Sequence, residues 1–369
     1  MTPLASIIGS GFLVAGPILA STLGNMAWIG ITTLCLIGYL YGEVIRFNIR
    51  NLEPQLEFAG KLTKTVEKTS DLALSIAYFI SVAYYINLFA AFLLRTVGVS
   101  SDVAIKSIAS VAIAGIGLVG LRGGLKSLER ILLGAVSLKL ALIGAISFGL
   151  VWLGIVNISA GQLTWPDIPH ATGWNEIAIL LGLVVLVQGF ETSRYLGAEY
   201  SAATRIRSMR TSQLISSAIY IIFVLLITQF FDLLPKGAFG ETDVIELLAP
   251  LGFIATPFLI IAALASQLSA GVADTNGSGG ILNEVTRARL SVGLGSLITA
   301  LVAIVITWSL DILQIIAIAS KAFVFYYGLQ SVQALTLAIR QRKLAYSILF
   351  GLAVLLATLI VTFATPASV

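Results

Sequence analysis

The sequence predicts an all-α polytopic membrane protein of about eleven transmembrane helices. They form two inverted halves of five, with one further helix at the C-terminal end. Three observations predict it. Of 369 residues, 58% are hydrophobic and 11% charged, and the mean hydropathy is +0.99; soluble domains carry about 25% charge. Apolar runs of about 18 residues or more recur along the whole chain, and a helix of that length crosses a bilayer. Two of these runs, about 180 residues apart, are interrupted by glycine and polar residues at corresponding places, as in inverted-repeat carriers.

The spans fall at 3–22, 25–46, 70–97, 102–120, 126–154, 176–200, 212–232, 252–273, 290–309, 312–338 and 345–364. Residues 1–369 read as a single membrane transport domain. Within it, 1–155 holds helices 1–5 and 176–338 holds helices 6–10, while 345–364 is helix 11. The distribution of Lys and Arg sets the orientation. Alternate loops hold Arg46, Arg50, Lys61, Lys64 and Lys68, then Arg122, Lys126 and Arg130, then Arg205, Arg207 and Arg210. Arg287, Arg289, Arg340, Arg342 and Lys343 continue that side, whereas the other collects Asp167, Asp232, Glu241, Asp243 and Asp311. The expectation is a multi-pass protein of the cell (inner or plasma) membrane, N-terminus cytoplasmic and C-terminus outside. No Lys or Arg precedes Arg46, so the first apolar run reads as a retained helix rather than a signal peptide.

Composition narrows the chemistry. No basic stripe interleaves with aromatics, so nucleic acid is not an expected partner. Cys35 and His170, each the single residue of its kind, exclude an internal disulfide and a histidine-based metal site. There is no nucleophile–base pair, so an enzyme is not expected. Asp274 and the glycine-rich 276–280 read as the cytoplasmic end of span 8.

The stretch 181–200 begins as an apolar helix, breaks at Gln188-Gly189-Phe190, and sets Glu191, Arg194 and Glu199 within a membrane span. Charge at that depth is costly unless it faces protein or a water-filled cavity, and interrupted helix is tolerated only there. Gly9-Ser10-Gly11 either interrupts the first span in the same way or serves close helix packing, since Ala5 and Gly9, and Gly16 and Ala20, are four apart. Its spacing of about 180 residues from the second break favours interruption. The amides of Ser10 and Gly11, read as a half-helix N-terminus, suit a carboxylate, and carbonyls near Gly189 suit an ammonium or cation. Glu191 and Arg194 are three residues apart, close enough either to pair with each other or to engage substrate.

Lys139 in span 5 and Lys321 in span 10 are also about 180 residues apart, and each is either an ion-coupling group or a snorkelling side chain. Ser266 and Ser269, one turn apart on span 8, suit a cation or helix–helix hydrogen bonding. Tyr84 and Phe325 are candidate pocket walls, and Glu43 and Glu199 are candidate gates at cytoplasmic helix ends.

Ile7-Ile8-Gly9-Ser10-Gly11-Phe12 resembles the first-helix signature of the amino acid–polyamine–organocation (APC) superfamily. Gly189-Phe190-Glu191 with Ala198-Glu199 resembles its sixth-helix signature, and the stretch 120–140 its loop and fifth helix. The resemblance implies the LeuT-like five-plus-five fold and secondary transport of amino acids or amines. It further implies that both breaks bind the substrate's carboxylate and amino groups. Lys139 matches the lysine that some proton-coupled members place where sodium-coupled relatives bind an ion. It assigns no role to Arg194.

The function expected is therefore a secondary active transporter moving a small organic solute, an amino acid or amine, by alternating access. Protons are the expected coupling ion ahead of sodium, and no organic cofactor is expected. The alternatives are a transporter-like channel, a substrate sensor, or a divergent carrier for another solute or an inorganic ion. The partners are a small-molecule substrate and the lipid bilayer, with the oligomeric state left open.

Overall fold

The computed structural model describes residues 2–123, 125–161, 166, 173–197, 200–234, 240–252 and 255–367, with side chains except at Thr2, Ala5, Ser10 and 125–138. Among the described residues there is no strand. The chain opens with α1 (Thr2–Gly11) and, after a turn at 12–14, α2 (Ala15–Leu23). Next come α3 (Ala27–Asn51), α4 (Lys61–Arg95), α5 (Asp102–Leu121) and α6 (Leu125–Ser159). The second interrupted segment starts as α7 (Trp174–Leu181) and continues in two 3-10 stretches, Val184–Val187 and Phe190–Leu196. There follow α8 (Ala202–Thr228), the short α9 (Val244–Leu247), α10 (Ala255–Val285), α11 (Val292–Ser309), α12 (Ile312–Arg340) and α13 (Leu344–Phe363).

Nine stretches among the described residues are long and apolar enough to cross a membrane, α2 and α3 counting as one. Side-chain caps start four helices: Ser101 for α5, Ser201 for α8, Ser291 for α11 and Asp311, in a full capping box with Gln314, for α12. Each supplies an acceptor for an otherwise open first-turn amide.

α4 is the axis of the bundle. In its most apolar stretch 78% of residues are buried, and it packs against α10, α12, α11 and α5, while α3 packs on α8. Small residues permit the closest approaches. Gly117 meets Ala300, and Gly271 lies on Ile86 and Tyr85. Packing through small residues replaces the hydrophobic drive that lipid does not supply. Outward faces carry Leu36, Val111, Phe148 and Leu344, all more than 60% exposed, as a lipid-facing surface requires.

Two expectations are corrected. α4 begins at Lys61, a full two turns before the apolar run at 70, so Glu67 is helical and buried. α10 continues unbroken through 276–280 to Val285, and Asp274 lies within it, 3% exposed. The glycines there are contact points rather than turn residues: Gly277 faces the Tyr78 ring, and Gly279 lies against Val292 and Ser296. Close packing holds them helical against their propensity.

Candidate substrate and coupling site

The two interrupted segments cross backbone to backbone. Gly189 has φ +114°, a left-handed conformation, and a Cβ there would overlap Ser6 and Ile7. A Cβ on Gly11 would strike the backbone of Leu186. Both positions need glycine for lack of space, and Gly189 for its φ as well. Helix is lost from Gly182 onward, earlier than the Gln188-Gly189-Phe190 of the sequence reading.

Tyr220 of α8 pins the crossing. Its hydroxyl accepts from Gly11 N–H at 3.1 Å and shares its one proton between the carbonyls of Leu186 (2.8 Å) and Ile7 (3.0 Å). One side chain thereby tends main-chain groups of both breaks, which buried backbone requires. This corrects the expected carboxylate cradle. Gly11 closes α1 rather than opening a half-helix, and its amide is engaged. The side chain of Ser10 lies outside the described residues.

Glu191 is fully buried. Its Oε2 accepts from Gly189 N–H at 3.0 Å and from the Tyr327 hydroxyl at 2.8 Å, while Oε1 has no partner. The Tyr327 ring is held between Tyr41 and Phe190, stacked at 5.1 Å on each side, which fixes where its hydroxyl points. Gln188 donates to the Tyr85 hydroxyl at 2.6 Å and leaves Oε1 open. Tyr85 touches the break, and Tyr84 is buried beside the Tyr85 ring, centroids 5.0 Å apart.

On the other side of α1, Lys139 is 3% exposed. Its Nζ donates to Ser266 Oγ at 3.1 Å, and Ser266 in turn donates to the Gly9 carbonyl at 3.4 Å. Ile143, Ile146 and Leu259 line the same small space. Ser269 is turned to its own helix, donating to the Ser266 carbonyl at 2.9 Å.

Arg194 does not pair with Glu191. It forms an ion pair with Glu67 of α4 and donates to Gln330 of α12. Gln330 in turn donates to Ser70 (2.7 Å) and accepts from Asn48 (2.8 Å), and Gln333 donates to Glu67 (2.6 Å). Arg205, paired with Glu53 at 2.6 Å, also caps the Arg194 carbonyl at 2.8 Å. This network ties the far half of the second break to α3, α4, α8 and α12. Glu43 stays on its own helix with Arg46, 2.9 Å away, and Arg46 reaches Gln213 of α8. Glu199 lies outside the described residues, as does His170.

Two candidates point elsewhere. Phe325 is 47% exposed, and Lys321, one turn before it, shares an outward face with Ile318 and Val332.

At the end of the bundle where α4 stops and α5 and α12 begin, a cavity of about 440 Å³ is lined by Asp102, Glu241, Asp243 and Asp311 with Arg95 and Lys106. Burial holds the Glu241 carboxyl above the usual carboxylate range, and neighbouring Asp243 and Asp102 add to it.

The sequence reading missed Tyr220, Glu67 and Gln330. Nothing local marks them: Tyr220 is one of eight hydroxyl side chains in α8, and Glu67 sits among lysines.

A crossing of two interrupted helices within a bundle of long apolar helices points to a membrane solute carrier. The family comparison agrees: residues 1–364 match a model described as an APC superfamily transporter. The chain belongs to that superfamily. An uncharacterized protein of Aquifex aeolicus (strain VF5) is 37% identical over 370 residues, covering 98% of this chain and 89% of its own. Among solved structures, Mhp1, a nucleobase-cation-symport-1 family transporter in a closed conformation with bromovinylhydantoin bound, aligns with a TM-score of 0.57 at 11% identity. The alignment covers 98% of this chain and 91% of that one. A manganese transporter of Eremococcus coleocola aligns at 0.53 and 14% identity, covering 98% and 85%. The fold is LeuT-like.

Proposed function

We propose that this chain is a proton-coupled secondary transporter that moves an amino acid or amine by alternating access around the crossing at Gly9–Gly11 and Gly189–Glu191. Its N-terminus is cytoplasmic and its C-terminus outside. The 1–155 and 176–338 halves move against each other. The observation that carries the coupling reading is the Lys139 ammonium, 3.1 Å from Ser266 Oγ and linked through it to the Gly9 carbonyl. It occupies the joint of α1, α6 and α10, where a sodium ion would otherwise need those oxygens. A charge in an apolar setting next to a broken helix is rarely idle.

The test is uptake into proteoliposomes under imposed proton or sodium gradients. An inward proton gradient should drive accumulation and a sodium gradient should not. Lys139→Ala should retain exchange of internal for external substrate but lose gradient-driven accumulation, by about tenfold or more, a scale of 1.4 kcal/mol. Accumulation that stays pH-dependent in Lys139→Ala overturns the coupling role.

A further inference from the structure

We infer that the ligand of the central crossing is an organic cation, a protonated amine with at least two N–H donors and no carboxylate, held by Glu191 Oε1 and Gln188 Oε1. This rests on the transport reading and names the substrate class of that site.

Glu191 makes no ion pair among the described residues, although it is fully buried. Two donors already converge on Oε2, an arrangement suited to the ionised carboxylate. Oε1 is left with open lone pairs. A buried carboxylate without a counter-charge costs several kcal/mol, and a bound cation removes that cost. Gln188, 1% exposed, presents a second open oxygen. Its amide is hydrogen-bonded to Tyr85, which also lies within electrostatic reach of both Glu191 and Asp274.

A carboxylate-bearing solute finds less. The Gly11 amide is taken by Tyr220. Arg194 and Arg205 are committed to Glu67 and Glu53, and Lys139 faces Ser266 across α1. The 440 Å³ cavity is also net acidic: four carboxylates line it against two basic groups, Lys106 being paired with Asp102 of the lining and Arg95 with Glu246 outside it. A cleft of one sign concentrates ligands of the other.

The experiment measures thermal stabilisation of the purified full chain in detergent by matched pairs. These are leucine and isopentylamine, phenylalanine and phenethylamine, and lysine and cadaverine, with N,N,N-trimethylphenethylammonium as a cation that lacks N–H donors. Ligand binding to the native state raises Tm. At least one amine should stabilise at a concentration about tenfold or more below its amino-acid partner, as expected for hydrogen bonds to a charged group. The trimethyl compound should not stabilise. Glu191→Gln should weaken the amine by about tenfold or more, and Gln188→Met by less, each with ligand-free Tm retained. If Glu191→Gln fails to fold, the pair comparison and Gln188→Met still decide. Tighter binding of an amino acid than of its amine, equal stabilisation by the trimethyl compound, or no stabilisation by any amine overturns the inference. Amino-acid uptake in proteoliposomes with no competition from amines defeats this inference but leaves the transport reading standing. Absence of uptake of either class, with no amine shift, overturns both.

Discussion

The second interrupted segment carries two buried charges three residues apart, and they are treated differently. Arg194 faces Glu67 across the bundle, and Gln330 joins the pair. Glu191 has two donors on one oxygen and none on the other. In the first case the protein supplies the counter-charge; in the second it leaves that to something else. Buried polar groups are normally hydrogen-bonded, so a charged exception marks a place where a ligand completes the set. The same short stretch thus serves as a latch at one end and a receptor at the other.

Arg194→Ala should test the latch most severely. It strands Glu67 without its cation and should cost about 3–5 kcal/mol, read as a large fall in thermal stability. The Glu67→Ala/Arg194→Ala pair should cost less than the sum of the single changes. A loss below about 1 kcal/mol, the range of exposed pairs, would remove the distinction between the two charges.

Gly189→Ala attacks the crossing itself. Its strained φ alone is worth about 1–3 kcal/mol, and the overlap with Ser6 and Ile7 adds to it; wild-type stability and uptake in this variant would contradict the crossing. Tyr327→Phe removes one donor from Glu191 Oε2 and should cost about 1.5–3 kcal/mol. Its effect should fall on ligand affinity more than on Tm. Smallest of all, Lys321→Gln and Phe325→Ala should each lie within about 0.5 kcal/mol of wild type. Tenfold loss of uptake from either would return those residues to the site.

Much of this was legible in the chain. Polar and glycine residues inside apolar spans announced both breaks, and Lys139 stood out because so few lysines lie in such runs. What was not legible depended on partners remote in sequence. Tyr220 matters through Ile7, 213 positions away, and Glu67 through Arg194, 127 away; neither has a local signature. Asp274 was misplaced because Asn and Gly read as loop, whereas here the glycines receive Tyr78 and α11. The role of Gly11 was inverted for a related reason: a glycine pair marks an interruption without saying which half-helix owns its amides.

The Tyr220 hydroxyl also dictates an order of events during synthesis. α1 leaves the ribosome first, yet the bond that finishes its inner end comes from a residue 213 positions later. At typical elongation rates of about 5–20 residues per second, that wait is on the order of ten to forty seconds. During it the opening helix must be sheltered by the insertion machinery or by its early neighbours. A chain truncated before α8 should therefore hold its first segment loosely, open to extraction or cleavage, while one extended past residue 220 should lock it.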